Sequence, residues 1–142
     1  MPYTRILIHT VWATKDRKPI LSKETKDLIC NHILEYALSK EIHLIQVNGW
    51  LDHLHAFISM RPEQNVCTLM NLIKGESSFW ANRNIGWKGK FGWQDDYFAV
   101  SVSQSHCERV TKYIMNQEEH HRKKKFQEEY DEFIKGYGFE DK

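Results

Sequence analysis

Apolar and polar positions fall into short blocks along this chain, and the rhythm of each block predicts an element. Tyr3 to Trp12 is β-branched and aromatic and reads as a first strand. Ser22 is placed to cap a helix running to about Lys40, with Leu28, Ile29, Ile33, Leu34 and Ala37 as its apolar side. Glu41 to Trp50 and His53 to Met60 follow as two strands with a turn near Gly49 to Asp52, the pattern of an antiparallel hairpin. Val66, Leu69, Met70, Ile73, Ser77 and Trp80 then recur at helical spacing behind an Asn65 N-cap. After a loop rich in Gly, Lys and Trp, Phe98, Val100 and Val102 alternate with Ala99, Ser101 and Ser103 as a half-buried strand. Ser105 and Glu108 make a capping-box pattern for a third helix reaching about His121. Phe126 to Lys135 is a last amphipathic helix, stopped by Gly136.

The order β-α-β-β-α-β is the split βαβ arrangement of α+β, ferredoxin-like or RRM-like folds with a central antiparallel sheet. No repeat, low-complexity segment or linker interrupts it, so residues 1–142 are expected to form one domain. Within it, 1–104 is the core, 105–121 a helix carrying Tyr113, and 126–136 a tail helix. That architecture hosts many functions, so the site must decide between them.

Composition narrows the choice. No stretch of the 142 residues approaches the apolar length of a membrane span, and the first residues lack a signal-peptide pattern, so a cytoplasmic protein with no membrane partner is expected. Cys30, Cys67 and Cys107 are scattered on helical apolar stripes, which argues for buried, reduced thiols. Taken as a whole-chain sum, the net charge of +1 speaks against nucleic acid. The sum is misleading: residues 126–142 hold 2 basic and 6 acidic groups, leaving 18 basic and 13 acidic in a moderately basic body.

His53 and His55 are two apart on a strand, so both imidazoles project from one face with Cα atoms roughly 6.6 Å apart. Two ring nitrogens so placed can meet one divalent cation, although histidine pairs also recur on strands for packing. Leu54, Ala56 and Ile58 line the opposite face, so the strand is expected to be buried on both sides, where its histidines need partners. Tyr113 and Gln117 are four apart, hence stacked on one helix face beside the apolar stripe of Cys107, Val110 and Ile114. An aromatic there is more often core than catalytic, and spacing alone leaves both roles open.

Taken together, Asp52-His53-Leu54-His55, Leu72-Ile73-Lys74-Gly75 and the run Tyr113 to His121 resemble the single-tyrosine HUH transposases. These are the TnpA-type enzymes of the smallest bacterial insertion sequences, with the REP-associated tyrosine transposases as relatives. The segments Ile8 to Thr14 and Phe98 to Ser103 extend the likeness over nearly the whole chain. The resemblance implies that His53, His55 and Gln117 hold a divalent metal, Mg²⁺ or Mn²⁺, and that Tyr113 is the nucleophile. Ligand chemistry by itself would suit zinc as well.

The resemblance also implies cleavage and rejoining of single-stranded DNA through a 5′-phosphotyrosine, with hairpins marking the element ends. Relatives work as homodimers completing each other's sites in trans, and a nucleoid association when DNA is bound is expected. Candidate DNA contacts are Arg5, Lys15, Arg17, Lys18, Lys74, Arg83, Lys88, Lys90, Arg122, Lys123 and Lys124, with Trp87 and Trp93 available for base stacking. Other readings are a domesticated relative that binds or nicks DNA hairpins without mobility, and a metal-dependent hydrolase. The hydrolase needs a water-activating carboxylate, and Asp52 is expected on the other face of its strand. A two-histidine phosphoesterase would need Thr or Ser two positions after each histidine, which neither has.

Overall fold

The computed structural model describes residues 2–121, 128, 129, 131 and 132. Its strands are β1 (Ile6–Ala13), β2 (His43–Gly49), β3 (His53–Met60) and β4 (Phe98–Val102). Its helices are α1 (Lys23–Ser39), α2 (Val66–Asn84), α3 (Cys107–Met115) and α4 (Gln117–His121), with short 3₁₀ turns at Lys15–Arg17 and Gln104–His106. The sheet order is β2-β3-β1-β4 and every neighbouring pair is antiparallel, as the split βαβ pattern requires. No helix of the described residues is long and apolar enough to cross a membrane.

Local chemistry explains where the elements begin. Ser22 Oγ accepts the Thr25 N–H at 3.1 Å and Asn65 Oδ1 accepts the Thr68 N–H at 2.8 Å, the two N-caps the sequence advertises. Between β2 and β3 the Trp50 N–H donates to the His53 carbonyl at 3.0 Å. A Cβ at Gly49 would collide with that carbonyl and come within 2.8 Å of Leu54 Cα, so only glycine allows this tight entry into β3.

The strand's two faces are both covered. Leu54, Ala56 and Ile58 pack with Ile8 and Trp12 against Ile29, Ile33, Met70 and Ile73 of α1 and α2. On the other face Leu7 and Phe57 meet Ile114, with Val110 and Tyr113 beside it, so α3 covers the sheet. Each large aliphatic side chain buried there contributes about 1.5–3 kcal/mol.

Three expectations about the elements change. The first strand starts at Ile6, because β3 ends at Met60 opposite it and leaves Tyr3 with nothing to pair. The Ser105–Glu108 box does not form; a 3₁₀ turn comes first, and Ser105 Oγ lies 3.0 Å from Ser103 Oγ instead. The third helix does not run on to His121. Asn48 Nδ2 of β2 donates to the carbonyls of Ile114 and Met115 at 3.0 and 3.1 Å, taking acceptors the helix would otherwise use, and the chain restarts as α4 at Gln117. The tail helix read at Phe126 to Lys135, with its Gly136 stop, lies largely outside the described residues; Glu128, Glu129, Asp131 and Glu132 are helical.

The Gly/Lys/Trp loop is a folded cover over α2. Trp93 is buried, meets Trp12 edge-to-face at 5.9 Å and donates from Nε1 to Ser77 Oγ at 2.9 Å. Trp87 stacks on buried Phe91 at 4.6 Å and donates to the Ala81 carbonyl.

The cysteines divide. Cys30 is buried and its thiol is pushed up to about 12, chiefly by burial, with nearby Lys26 opposing in part. Cys67 is exposed, against expectation, because it lies on the solvent side of α2. A native-state thiol titration should therefore label Cys67 quickly and Cys30 only after unfolding. Fast labelling of Cys30 in the folded protein would contradict this packing.

Candidate metal centre and tyrosine site

β3 carries His53 and His55 to the middle of the sheet, opposite Ala13 and Val11 of β1, with both rings fully buried and 5.1 Å apart. Each ring is held from behind. His53 Nδ1–H donates to Asp52 Oδ1 at 2.8 Å. Asp52 thus reaches the histidine from the turn, where strand alternation alone would have pointed it away. His55 Nδ1 lies 2.9 Å from Nε2 of His9, a buried histidine on β1 whose ring stacks on it at 5.1 Å. Burial, and next the neighbouring His55, lower the His9 pKa to about 3 against a partial opposing pull from Glu129, so His9 is neutral at pH 7.

The remaining ring nitrogens turn toward a single carboxylate. Glu129 Oε1 is 2.9 Å from His55 Nε2, and Oε2 is 3.5 Å from His53 Nε2. One ligand atom from each of His53, His55 and Glu129 lies within 4.8 Å of the others, and all three residues are buried. Burial works to lower the His53 pKa, but hydrogen bonds and charge from Glu129 and Asp52 outweigh it and the net shift is upward. A field that favours a proton on His53 favours a metal cation there too. Two imidazoles and a carboxylate are also a fitting donor set for a divalent ion.

Tyr113 joins this group from α3. Its ring is 5.6 Å from His55 and its hydroxyl donates to Glu129 Oε1. Burial raises the Tyr113 pKa most, followed by the charge of Glu129; a hydrogen bond with Gln117 acts the other way. Gln117 is fully buried at the start of α4. That turn is anchored to α1, because Glu118 lies 3.6 Å from both Lys23 and Lys26.

The structure brings His53, His55 and Tyr113 to one place and sets Gln117 beside Tyr113, with Glu129 rather than Gln117 facing the two histidines. The DNA-contact candidates scatter. Arg5, Lys15, Arg17, Lys18, Lys88 and Lys90 are exposed, and Arg83 lies over the Phe79 ring at 5.4 Å. Lys74 instead ties down the chain, its Nζ donating to the Gln94 and Asp95 carbonyls at 2.6 and 2.8 Å. Trp93 lacks the exposed face that base stacking requires, and the Trp87 ring is already stacked within the chain. Arg122, Lys123 and Lys124 lie outside the described residues.

Two residues of the site were missed. His9 had a signal, since a histidine flanked by Leu7 and Val11 on a core face needs a partner. Glu129 had none: its neighbour Glu128 is the same residue type and is exposed.

Comparison with known proteins decides the family. The family model described as "Transposase IS200 like" matches residues 2–117. The chain belongs to the IS200-like transposase family. Family membership makes it a transposase, a DNA-processing enzyme, and the matched span includes His53, His55, Tyr113 and Gln117 but not Glu129. The ISDra2 transposase TnpA of Deinococcus radiodurans is 26% identical over 115 residues, covering 77% of this chain and 81% of the relative. The transposase for insertion sequence element IS200 of Salmonella typhimurium is 21% identical over 114 residues, covering 77% and 74%.

Among solved structures, a transposase from Deinococcus radiodurans R1 superposes with a TM-score of 0.64 at 23% identity, covering 82% of this chain and 93% of that one. A REP-associated tyrosine transposase bound to a REP hairpin gives 0.61 at 13% identity, covering 85% and 72%. Both likenesses place this transposase in the same fold.

His9 Nε2 lies 2.9 Å from His55 Nδ1 and so fixes the orientation of the His55 ring from behind, as partners of metal-binding histidines do. Replacing His9 with Ala should weaken Mn²⁺ binding by about 10- to 100-fold, measured by calorimetric titration. A folded His9→Ala variant with unchanged affinity would remove His9 from the site.

Proposed function

We propose that the chain cleaves and rejoins single-stranded DNA at hairpin-marked element ends through a 5′-phosphotyrosine on Tyr113, with a divalent ion, Mg²⁺ or Mn²⁺, held at His53 and His55. The observation that carries this reading is the convergence of the Tyr113 hydroxyl and both His Nε2 atoms on the Glu129 carboxylate. Glu129 is the third ligand that this geometry favours, with Gln117, the position the family resemblance points to, as partner of the tyrosine. The ion, when bound, supplies positive charge to the phosphate as negative charge builds on it.

The chain's own groups account for the rest. A phenol whose pKa burial and Glu129 raise must lose its proton as it attacks, and the acceptor in contact is Glu129. Tyr113 Oη forms a bond to phosphorus, the P–O3′ bond breaks, and the leaving oxygen takes up a proton as a 3′-hydroxyl. Attack by the same or another 3′-hydroxyl reverses the step, returning the proton to Tyr113, so the phosphodiester energy is kept for rejoining. Burial of the site keeps water from competing for the phosphotyrosine.

Tyr113 lies beside the histidines of its own chain, an arrangement that supports a site completed in cis. Homodimers with sites completed in trans, as relatives suggest, are the alternative. Mixing a Tyr113→Phe variant with a His53→Ala variant separates the two: recovered cleavage requires trans completion, and none is expected from cis.

The central test uses labelled single-stranded hairpin DNA with Mg²⁺ or Mn²⁺. A covalent protein–DNA adduct should form, vanish in Tyr113→Phe and be prevented by EDTA. Cleavage that survives in Tyr113→Phe would overturn the nucleophile. Metal titration of Glu129→Ala beside Gln117→Ala assigns the third ligand, the larger loss being expected for Glu129→Ala.

A further inference from the structure

The sheet face that carries the histidines continues across β1 to β4. His55 lies opposite Val11, and Val11 lies opposite Phe98; His53 lies opposite Ala13. Beside this row the end of β1 and the segment before β4 enclose a cavity of about 100 Å³, whose lining includes Val11, Ala13, Arg17, Gln94, Tyr97 and Phe98. Strands are spaced about 4.8 Å apart, so the cavity begins within one nucleotide's reach of the site.

Four features give the cavity a chemistry. Its floor is apolar, with Val11 and Phe98 packed together. Tyr97, whose ring Lys74 Nζ approaches to 5.7 Å, is 37% exposed at its rim and keeps part of its aromatic surface for a planar ligand. Gln94 Oε1 is buried and has no hydrogen-bond partner among the described residues, and the Asp96 carboxylate is a second acceptor in the lining. Arg17 also lines the cavity, on a turn where Asp16 and Arg17 take left-handed backbone conformations with φ of 59° and 53°.

The frame around these groups is already tied. Gln94 N–H donates to the Ala13 carbonyl and Lys15 N–H to the Gly92 carbonyl, both at 2.9 Å. Lys74 anchors the Gln94 and Asp95 carbonyls from α2. A preorganised cavity of this kind loses little ordering entropy when it is filled.

We propose that this cavity is a subsite for one unpaired nucleobase next to the phosphate attacked by Tyr113, preferring a base with an exocyclic amino group. The inference rests on the single-stranded DNA reading above. Tyr97 and the apolar floor take the faces of the base, Gln94 Oε1 and Asp96 accept from the amino group, and Arg17 meets an adjoining phosphate. Cytosine and adenine offer the required donor, and thymine does not.

The test is fluorescence anisotropy with labelled dC₁₀, dA₁₀ and dT₁₀ in EDTA at neutral pH, where no cleavage intervenes, alongside the hairpin adduct assay with metal. The wild-type chain should bind dC₁₀ and dA₁₀ more tightly than dT₁₀. Tyr97→Ala should weaken all three by about 5- to 100-fold, and Gln94→Leu should erase the ranking while melting temperatures stay near wild type. If the adduct forms but these variants keep wild-type affinity and ranking, or no oligonucleotide binds, the subsite falls and the proposed function stands. If neither adduct nor binding occurs, the proposed function falls and takes the subsite with it.

Discussion

Burying two histidines side by side in the centre of a sheet is costly unless their ring nitrogens find partners, and much of this fold meets that demand. The turn at Gly49 brings Asp52 to His53 Nδ1, and β1 supplies His9 to His55 Nδ1. With the rear nitrogens engaged, the two Nε2 atoms face the same side and the same carboxylate. Through these contacts a pair that could have been spent on packing is arranged as a group that could hold a cation.

The tyrosine depends on a separate device. An uninterrupted helix from Cys107 to His121 would have kept Tyr113 and Gln117 one turn apart on a common stripe. Asn48 interrupts it by taking the Ile114 and Met115 carbonyls, and Lys23 and Lys26 hold Glu118 of the following turn. Gln117, at the start of that following turn, is fully buried next to Tyr113. A residue of the hairpin strand β2 thus shapes the helix that carries Tyr113.

Charge changes meaning in the same way. The acidic residues beyond 126 nearly cancel a basic body, yet Glu129 among them is not a solvated charge; it is buried against two imidazoles and a phenol. Conversely, several residues that look suited to DNA are occupied within the chain. Lys74 binds backbone carbonyls, and Trp93 packs on Trp12. Their work stiffens the segment before β4, whose inner side borders the row of His55, Val11 and Phe98.

How far the sequence could be read follows from which interactions are local. Strand alternation, helical spacing and the Ser22 and Asn65 caps are set by residues within four positions of one another, so the element order and the shared face of His53 and His55 were legible from the chain alone. The spacing of Tyr113 and Gln117 was legible for the same reason. The partners of those residues were not, because His9 and His55 are 46 positions apart, Asn48 and Ile114 are 66 apart, and Tyr113 and Glu129 are 16 apart. Only the tertiary structure brings such groups together, since long-range contacts are fixed by packing and by the hydrogen-bonding needs of buried polar atoms, neither of which leaves a periodic mark in sequence.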